Sequence, residues 1–163
     1  MIGHNPTLGF IVIMQGVTLC ETVSPLKAQL NRALLVLEEN WHQEDENKEI
    51  SLAILGGKQH EVLLYHQTLE RMSAVFLAFD EDQIVLLARQ TGLTISELLS
   101  PYVLVFEQML EVQLIGIGFE LSIPNRDDDE SLKNAGIAIA FIQDKQTGSW
   151  KRKELLPVVG HYL

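Results

Sequence analysis

Apolar residues recur at helical spacing between residues 60 and 79 of this 163-residue chain. Their separations alternate between three and four positions, which places them on one face of an α-helix. Val75 and Leu77 add apolar surface beside that stripe. We therefore predict a helix over about 60–79 that is apolar around much of its last two turns. The stripe consists of Val62, Tyr65, Leu69, Met72, Phe76 and Phe79.

The N-terminal third of the chain predicts a strand, a helix and a second strand. Phe10–Met14 is a short β-branched run typical of a buried strand. Ser24-Pro25 provides an N-cap followed by proline at the first helical position, which predicts a helix from about 25 to 41. The polar stretch His42–Glu49 is interpreted as a loop, and Ile50–Leu55 as the second strand.

Two capping patterns predict a pair of helices after residue 79. Asp80–Gln83 begins a short helix that ends before Gly92. Thr94–Glu97 begins a second helix that runs toward residue 111. Pro101 falls within this second segment, where it either kinks the helix or starts a new one.

The C-terminal third predicts three strands. Ile115–Ile123 alternates apolar with polar or glycine positions, which is typical of a half-buried strand. Gly136–Ile142 is apolar on both faces, Asp144–Gly148 predicts a hairpin turn, and a last strand begins near Trp150. Helices followed by a run of strands favour the α+β class. Residues 1–163 are therefore predicted to form a single α+β domain with an N-terminal β-α-β unit, a central helical block and C-terminal antiparallel strands.

Composition favours a buried contact with a partner. Hydrophobic residues make up 47% of the chain and its mean hydropathy is +0.12, which is more apolar surface than a small monomer hides easily. The formal net charge of −10 disfavours binding to nucleic acid and to anionic membranes. Cys20 is the single cysteine, so no intrachain disulfide can form. The sequence has neither a signal-peptide nor a membrane-spanning pattern, and the expected location is the cytoplasm.

Residues 74–103 resemble the ribbon-helix-helix family of DNA-binding proteins. A short strand at Val75–Phe79 precedes two capped helices joined at Thr91-Gly92, and the middle portion is similar to a helix-turn-helix. The resemblance covers about 30 of 163 residues and implies a DNA-binding regulator. The segment departs from the family's pattern because its strand is apolar and Arg89 is its only basic residue.

Two short motifs are candidates for binding an anion. Gly56-Gly57-Lys58 is predicted to join a strand to a helix, where backbone N–H groups and the helix dipole attract phosphate. A plain turn is the alternative, because the spacing of a P-loop is missing. Trp150, Lys151, Arg152 and Lys153 form a basic cluster beside an aromatic ring, which suits a phosphate or a nucleic-acid strand. Lysines that protect an edge strand from pairing are the alternative there.

The sequence predicts no catalytic residue, no metal site and no cofactor. His60 and His66 lack the i, i+4 spacing of helical zinc sites. Asp127–Glu130 lacks the alternating ligands and central glycine of an EF-hand loop. Glu107 and Glu111 are interpreted as a solvent-facing pair.

Three hypotheses for function follow. The first is a non-catalytic subunit or adaptor that binds a protein partner or a second copy through the 60–79 stripe, although the stripe could instead cover the sheet. The second is an enzyme or sensor that binds a small molecule between sheet and helices, near Gly56-Gly57 and Gly116-x-Gly118. The third is the DNA-binding regulator. The interface candidates of the first hypothesis are Tyr65, Leu69, Met72, Phe76 and Phe79.

Overall fold

The computed structural model describes residues 6–15, 19–36, 42–45, 48–69, 72–109 and 111–155. These residues form eight strands and four helices. In chain order the elements are β1 (Thr7–Gln15), α1 (Leu19–Arg32), β2 (His42–Asp45), β3 (Lys48–Leu55), β4 (Lys58–Leu69), β5 (Met72–Asp80), α2 (Glu81–Thr91), α3 (Ile95–Glu107), β6 (Val112–Phe119), α4 (Asp129–Asn134), β7 (Ile137–Gln143) and β8 (Trp150–Glu154).

All the described strands belong to one antiparallel sheet with the order β2-β3-β4-β5-β1-β6-β7-β8. The N-terminal strand β1 lies in the interior of the sheet, because it pairs with β5 on one side and with β6 on the other. Leu8, for example, lies opposite both Phe79 and Phe119. The strands from both ends of the chain thus share one sheet, and the predicted α+β fold class is confirmed.

One face of the sheet, called the helix face, packs against α1, α2 and α3. Successive side chains of a strand point to opposite sides, so alternate residues of each strand reach this face. Phe10 of β1 is fully buried, and its ring lies 5.7 Å from that of Tyr102 and 5.1 Å from that of Phe106. Leu26 and Leu30 attach α1 to the same core. This is the larger of the two cores.

The opposite face, called the second face, has a smaller core. Helix α4 packs mainly on β7, and the segment after β6 contributes Leu121 and Ile123. Below them lie buried residues of the central strands, including Ile11 and Phe76. The cover therefore lies over β5, β1, β6 and β7.

Glycines allow close approach of strands in the covered part of the second face. A Cβ atom at Gly9 would lie 1.8 Å from the carbonyl oxygen of Leu77, and one at Gly118 would lie 2.0 Å from that of Gly136. Both obstacles are backbone atoms, which cannot move aside as a flexible side chain can. Gly9 of β1 and Gly118 of β6 thus allow close backbone contacts with neighbouring segments.

The predicted helix over 60–79 is wrong. Residues 58–69 and 72–80 form β4 and β5, which pair antiparallel with Leu69 opposite Met72. Nearly every position from Ala74 to Phe79 is apolar, so the segment fits helical spacing and strand geometry equally well. A central strand buried on both faces also produces such a run, and β5 is one.

The N-terminal region differs from its prediction in two places. Helix α1 begins at Leu19, so Pro25 lies inside the helix instead of at its start. The helix ends at Arg32, Val36 bridges to Ala53, and the rest of the predicted helix, 37–41, lies outside the described residues. The predicted loop 42–49 contains β2 and the start of β3, because pairing between these strands outweighs their polar composition.

The two capping predictions after residue 79 are confirmed, whereas the predicted cap at Ser24 is wrong because α1 begins at Leu19. Asp80 caps α2 by accepting hydrogen bonds from backbone N–H groups of the first turn. Gly92 is the C-cap of the same helix and has a left-handed backbone conformation with φ 75°. Thr94 and Glu97 form the predicted capping box of α3. Pro101 lies within α3, which continues as one helix. The predicted strands that became β1, β3, β6, β7 and β8 are also present.

Candidate interaction surface

A group of apolar side chains lies on the second face of the β3–β4 hairpin. The group, called the open patch, consists of Ile50, Leu52 and Ile54 from β3 with Leu63 and Tyr65 from β4. Ile50 and Leu63 are direct neighbours across the two strands. These residues share a face because they occupy alternate positions of paired strands.

The four aliphatic residues of the open patch belong to neither core. Each is partly exposed, whereas Ala53 and Val62 on the helix face of the same strands are 0% exposed. The core of the second face extends as far as Tyr65. Among the described residues, the open patch is therefore a partly exposed apolar surface next to a covered one.

Tyr65 marks the border between the covered and the open part of the second face. Its ring stacks on that of Phe76 across the β4–β5 pair, with centroids 4.5 Å apart and planes inclined by 5°. Burial, and then the negative charge of Glu120, raise the pKa of Tyr65 above its usual value. The phenol is thus neutral at physiological pH, and its ring forms a fixed edge to the patch.

Two opposite charges flank the open patch. Lys48 lies opposite Tyr65 at one end, and Glu61 lies opposite Leu52 toward the other end. Both side chains are exposed. Lys48 and Leu52 are four residues apart in β3, which is about 13 Å along the strand at the usual rise per residue. Glu61, opposite Leu52, is therefore well separated from Lys48. The patch therefore has one positive and one negative charge at separate places.

A hydrogen-bond network supports β3 from the helix face. Tyr102 is fully buried, and its hydroxyl donates to the carbonyl oxygen of Leu35 at 2.9 Å and lies 3.1 Å from that of Ile54. The N–H of Ile54 donates to the same Leu35 oxygen at 2.7 Å. Burial raises the pKa of Tyr102 well above its usual value, so the hydroxyl remains a donor. The open patch thus lies on a firmly held strand.

An ion pair adds a second attachment between the helices and β3. Lys27 of α1 contacts Glu49 at 2.7 Å, and both side chains are 24% exposed. Partial burial makes such a pair less sensitive to salt than a fully exposed one. Helix α1 is therefore attached near the Lys48 end of the open patch.

The five predicted interface residues separate into two groups. Tyr65, Leu69, Met72 and Phe76 lie on the second face, because they occupy alternate positions of β4 and β5. Phe79 points to the helix face and is 0% exposed in the larger core. Leu69 is 44% exposed at the end of β4, next to β5, whereas Phe76 is buried. Whether any of them contacts a partner stays a prediction.

The first predicted anion motif has a different structure from the one expected. Gly56 and Gly57 have φ values of 56° and 78° and form the tight turn between β3 and β4. The helix expected after Lys58 does not exist, since β4 begins at that residue. No helix dipole is therefore available there, and the turn alternative describes the geometry.

The basic cluster of β8 is divided between the two faces of the sheet. Trp150 packs toward the core of the helix face, and Arg152 contacts Glu154 at 3.2 Å. Lys153 points the other way, to Asp129 of α4 at 2.9 Å, and Lys151 is exposed. Among the described strands, β8 is an edge strand, which is where lysines commonly block unwanted pairing.

The structure also bears on the residues that supported the small-molecule and the DNA-binding hypotheses. Gly56-Gly57 and Gly116-x-Gly118 are not neighbours, because β4, β5 and β1 lie between β3 and β6. The strand of the segment that resembles ribbon-helix-helix proteins, Val75–Phe79, is part of β5 and pairs on both edges inside the sheet. It therefore has no free edge with which to form a ribbon with a second copy.

The two histidines of β4 both lie on the helix face, but they do not form a common metal site. His60 and His66 are separated by six positions of a strand, or roughly 20 Å, which is too far to bind one metal ion. Burial lowers the pKa of both below the usual value. Within the described residues, the buried Nε2 atom of His60 has no hydrogen-bond partner.

Other signs of function are missing from the part of the chain described. It contains no group of three or more potential metal ligands. None of its helices is long and apolar enough to cross a membrane. Comparison with protein-family models, curated proteins and solved structures finds no match.

Sequence reasoning missed Ile50, Leu52, Ile54 and Leu63 as surface residues. Ile50–Leu55 is predicted only as a strand, and apolar residues at most of its positions do not indicate which of its faces is exposed. One feature of the sequence could have indicated the patch. Leu63 and Leu64 are adjacent, so they lie outside the predicted helix stripe and place an apolar residue on both faces of a strand. Identifying the patch also required the pairing of β3 with β4.

Proposed function

We propose that this protein is a non-catalytic subunit that self-associates through the open patch. The observation that carries the proposal is the set of partly exposed aliphatic residues on β3 and β4 that belongs to neither core. Covering such a surface removes apolar area from water, which is favourable at roughly 25 cal/mol per Å². Two sheets that pack face to face across about 10 Å provide a standard geometry for this contact.

The positions of the two flanking charges support a second copy of the chain as the partner. In a two-fold symmetric interface, a residue that contacts another is contacted by it in return. A two-fold axis that lies between the two facing sheets, crosses the strands over the Ile50–Leu63 pair and is tilted toward the strands places Lys48 of one copy over Glu61 of the other, and the reverse. The same rotation places Ile50 and Leu63 of one copy against the same pair of the other. The arrangement thus combines an apolar contact with two contacts between opposite charges.

The charge of the whole chain acts on association at long range. The protein has a net charge of −10, which opposes association of two copies at long range. The open patch with its two flanking residues is neutral, and Glu120 adds a negative charge beside Tyr65. Salt screens the remaining repulsion, with a Debye length of about 8 Å at physiological ionic strength. Salt also screens the attraction of the two Lys48–Glu61 contacts, so we expect only a weak dependence of association on added salt.

The first experiment compares Leu63→Glu with a matched control, Leu104→Glu. Leu104 is 59% exposed on α3, away from the patch, so both variants add one carboxylate to a surface leucine. We expect the wild type and Leu104→Glu to be dimers by sedimentation and native mass spectrometry. Leu63→Glu should dissociate by more than about 100-fold in Kd, because it buries an unpaired charge. Unchanged far-UV circular dichroism verifies the fold.

A wild-type protein that stays monomeric through the micromolar range would overturn self-association. A Leu63→Glu variant that remains a dimer would show that the dimer uses another surface.

The second experiment identifies the partner by exchange of charges. Lys48→Glu and Glu61→Lys are changes at exposed positions, so both variants should fold. Each alone should form weaker dimers, because like charges then meet at both contacts. An equimolar mixture should form heterodimers in preference to either homodimer, since both contacts are then attractive. Random mixing of the two variants would contradict the proposed two-fold arrangement.

A further inference from the structure

A cleft opens on the second face where the segment after β6 crosses the ends of four strands. Its volume is about 250 Å³, below the roughly 300–1,000 Å³ of sites for drug-sized ligands. The floor is apolar and consists of Ile13, Met72, Leu114 and Ile142, from β1, β5, β6 and β7. The wall is formed by residues 124–127. A small apolar group fits the floor.

The rim of the cleft is rich in hydrogen-bond donors. Arg126 and Lys145 provide two cations, and Gln113, Asn125 and Gln143 provide amide groups. Asp127 is the one carboxylate among the described residues that line the cleft. The residues that line the cleft carry one more positive than negative charge, and Asp128 just outside the lining pairs with Arg126.

The two cations lie on different segments of the rim, and both are exposed. The Nε atom of Arg126 lies 3.4 Å from a carboxylate oxygen of Asp128, and the arginine side chain is 80% exposed. Lys145 lies in the turn between β7 and β8, where Asp144 accepts hydrogen bonds from the backbone N–H groups of Gln146 and Thr147. The carboxylate of Asp144 thus helps to order the turn, and Lys145 is the cation on its side of the rim.

We propose that this cleft binds a small organic anion with an apolar body and one carboxylate. The apolar part would lie on the floor, and the carboxylate would meet Lys145 and the donors of the rim. Met72 is only partly exposed at the floor, and its unbranched side chain can adapt to ligands of different shape. The inference does not depend on self-association, because the aliphatic residues of the open patch are not part of the cleft.

The test uses octanoate as the probe and 1-octanol as its neutral counterpart. Isothermal titration calorimetry should show that octanoate binds at least about tenfold more tightly than octanol. The methyl resonance of Met72 should shift on titration with octanoate. Inorganic phosphate should leave that resonance unchanged, since it has no apolar body.

Two variants with the same change of charge locate the anion. Lys145→Glu should weaken octanoate binding by about tenfold or more, and leave octanol binding nearly unchanged. Lys133→Glu is the matched control, because Lys133 is an exposed residue of α4 that does not line the cleft. It should bind octanoate as the wild type does.

Three outcomes would overturn the proposal. These are the absence of saturable octanoate binding in the millimolar range, equal affinity for octanoate and octanol, and equal losses in Lys145→Glu and Lys133→Glu. The Leu63→Glu variant should retain octanoate binding. Its behaviour in the association experiment therefore has no bearing on this result.

Discussion

The two faces of the sheet have similar apolar residues but differ in what covers them. The helix face lies under α1, α2 and α3, and its residues form one continuous core. The second face is covered by α4, which spans Asp129–Asn134, and by the segment after β6. That cover ends near Tyr65, and the aliphatic residues of β3 and β4 lie beyond it.

The difference shows that apolar content does not identify a core. Phe10 and Leu52 are both large apolar residues in strands, yet Phe10 is fully buried and Leu52 is partly exposed. Whether an apolar residue of the sheet is covered depends on where the helices pack, and the apolar residues of each helix determine where it packs. The apolar face of β3 and β4, which none of the described helices covers, is the surface that we propose for association.

The largest expected effect is loss of stability on the helix face. Phe10→Ala should lower the free energy of unfolding by about 3–5 kcal/mol, because it leaves a cavity beside Tyr102 and Phe106. Leu52→Ala on the second face should cost less than about 1 kcal/mol in the monomer. Urea unfolding at a protein concentration too low for dimers measures both. Equal losses would mean that Leu52 is part of a core.

An intermediate effect is expected where the helix face supports the open patch. Tyr102→Phe should lower the free energy of unfolding by about 1–2 kcal/mol, since the buried hydroxyl that donates to the carbonyl oxygen of Leu35 and lies beside that of Ile54 is lost. Hydrogen exchange at the amide of Ile54 should become faster. Unchanged exchange there, with normal protection elsewhere, would show that the hydroxyl does not hold β3.

The smallest effect is a dependence of stability on pH. Burial lowers the pKa of His60 below its usual 6.5, the contact with Gln83 opposes this, and Lys58 adds to it. The unfolded chain therefore binds the proton more readily than the folded one. Stability is complete above about pH 6.5 and decreases as the pH falls toward the lower pKa of the folded state.

His60→Gln provides the control for that dependence. The variant should lose less stability than the wild type between about pH 7.5 and about pH 5.5, as measured by urea unfolding. Some dependence should remain, because burial also lowers the pKa of His66. An identical loss in the variant would assign the effect to other groups.

The sequence predicted features that depend on near neighbours and missed those that depend on strand pairing. Asp80 and Thr94 cap helices through contacts within one turn, so both caps could be identified from the sequence. The 60–79 segment could not, because its apolar positions fit two periods. The open patch needed both the strand order and the position of the cover, which involve residues far apart in the chain.

The interior position of β1 has a consequence for synthesis of the protein. β1 precedes its neighbour β6 in the chain, and β6 begins only at residue 112. At about 5–20 residues per second, a ribosome takes roughly 5–20 s to synthesise the intervening chain. Through that interval β1 has an unpaired, strongly apolar edge. Translation therefore creates a period of exposure to aggregation, during which a chaperone that binds nascent chains would shield the strand.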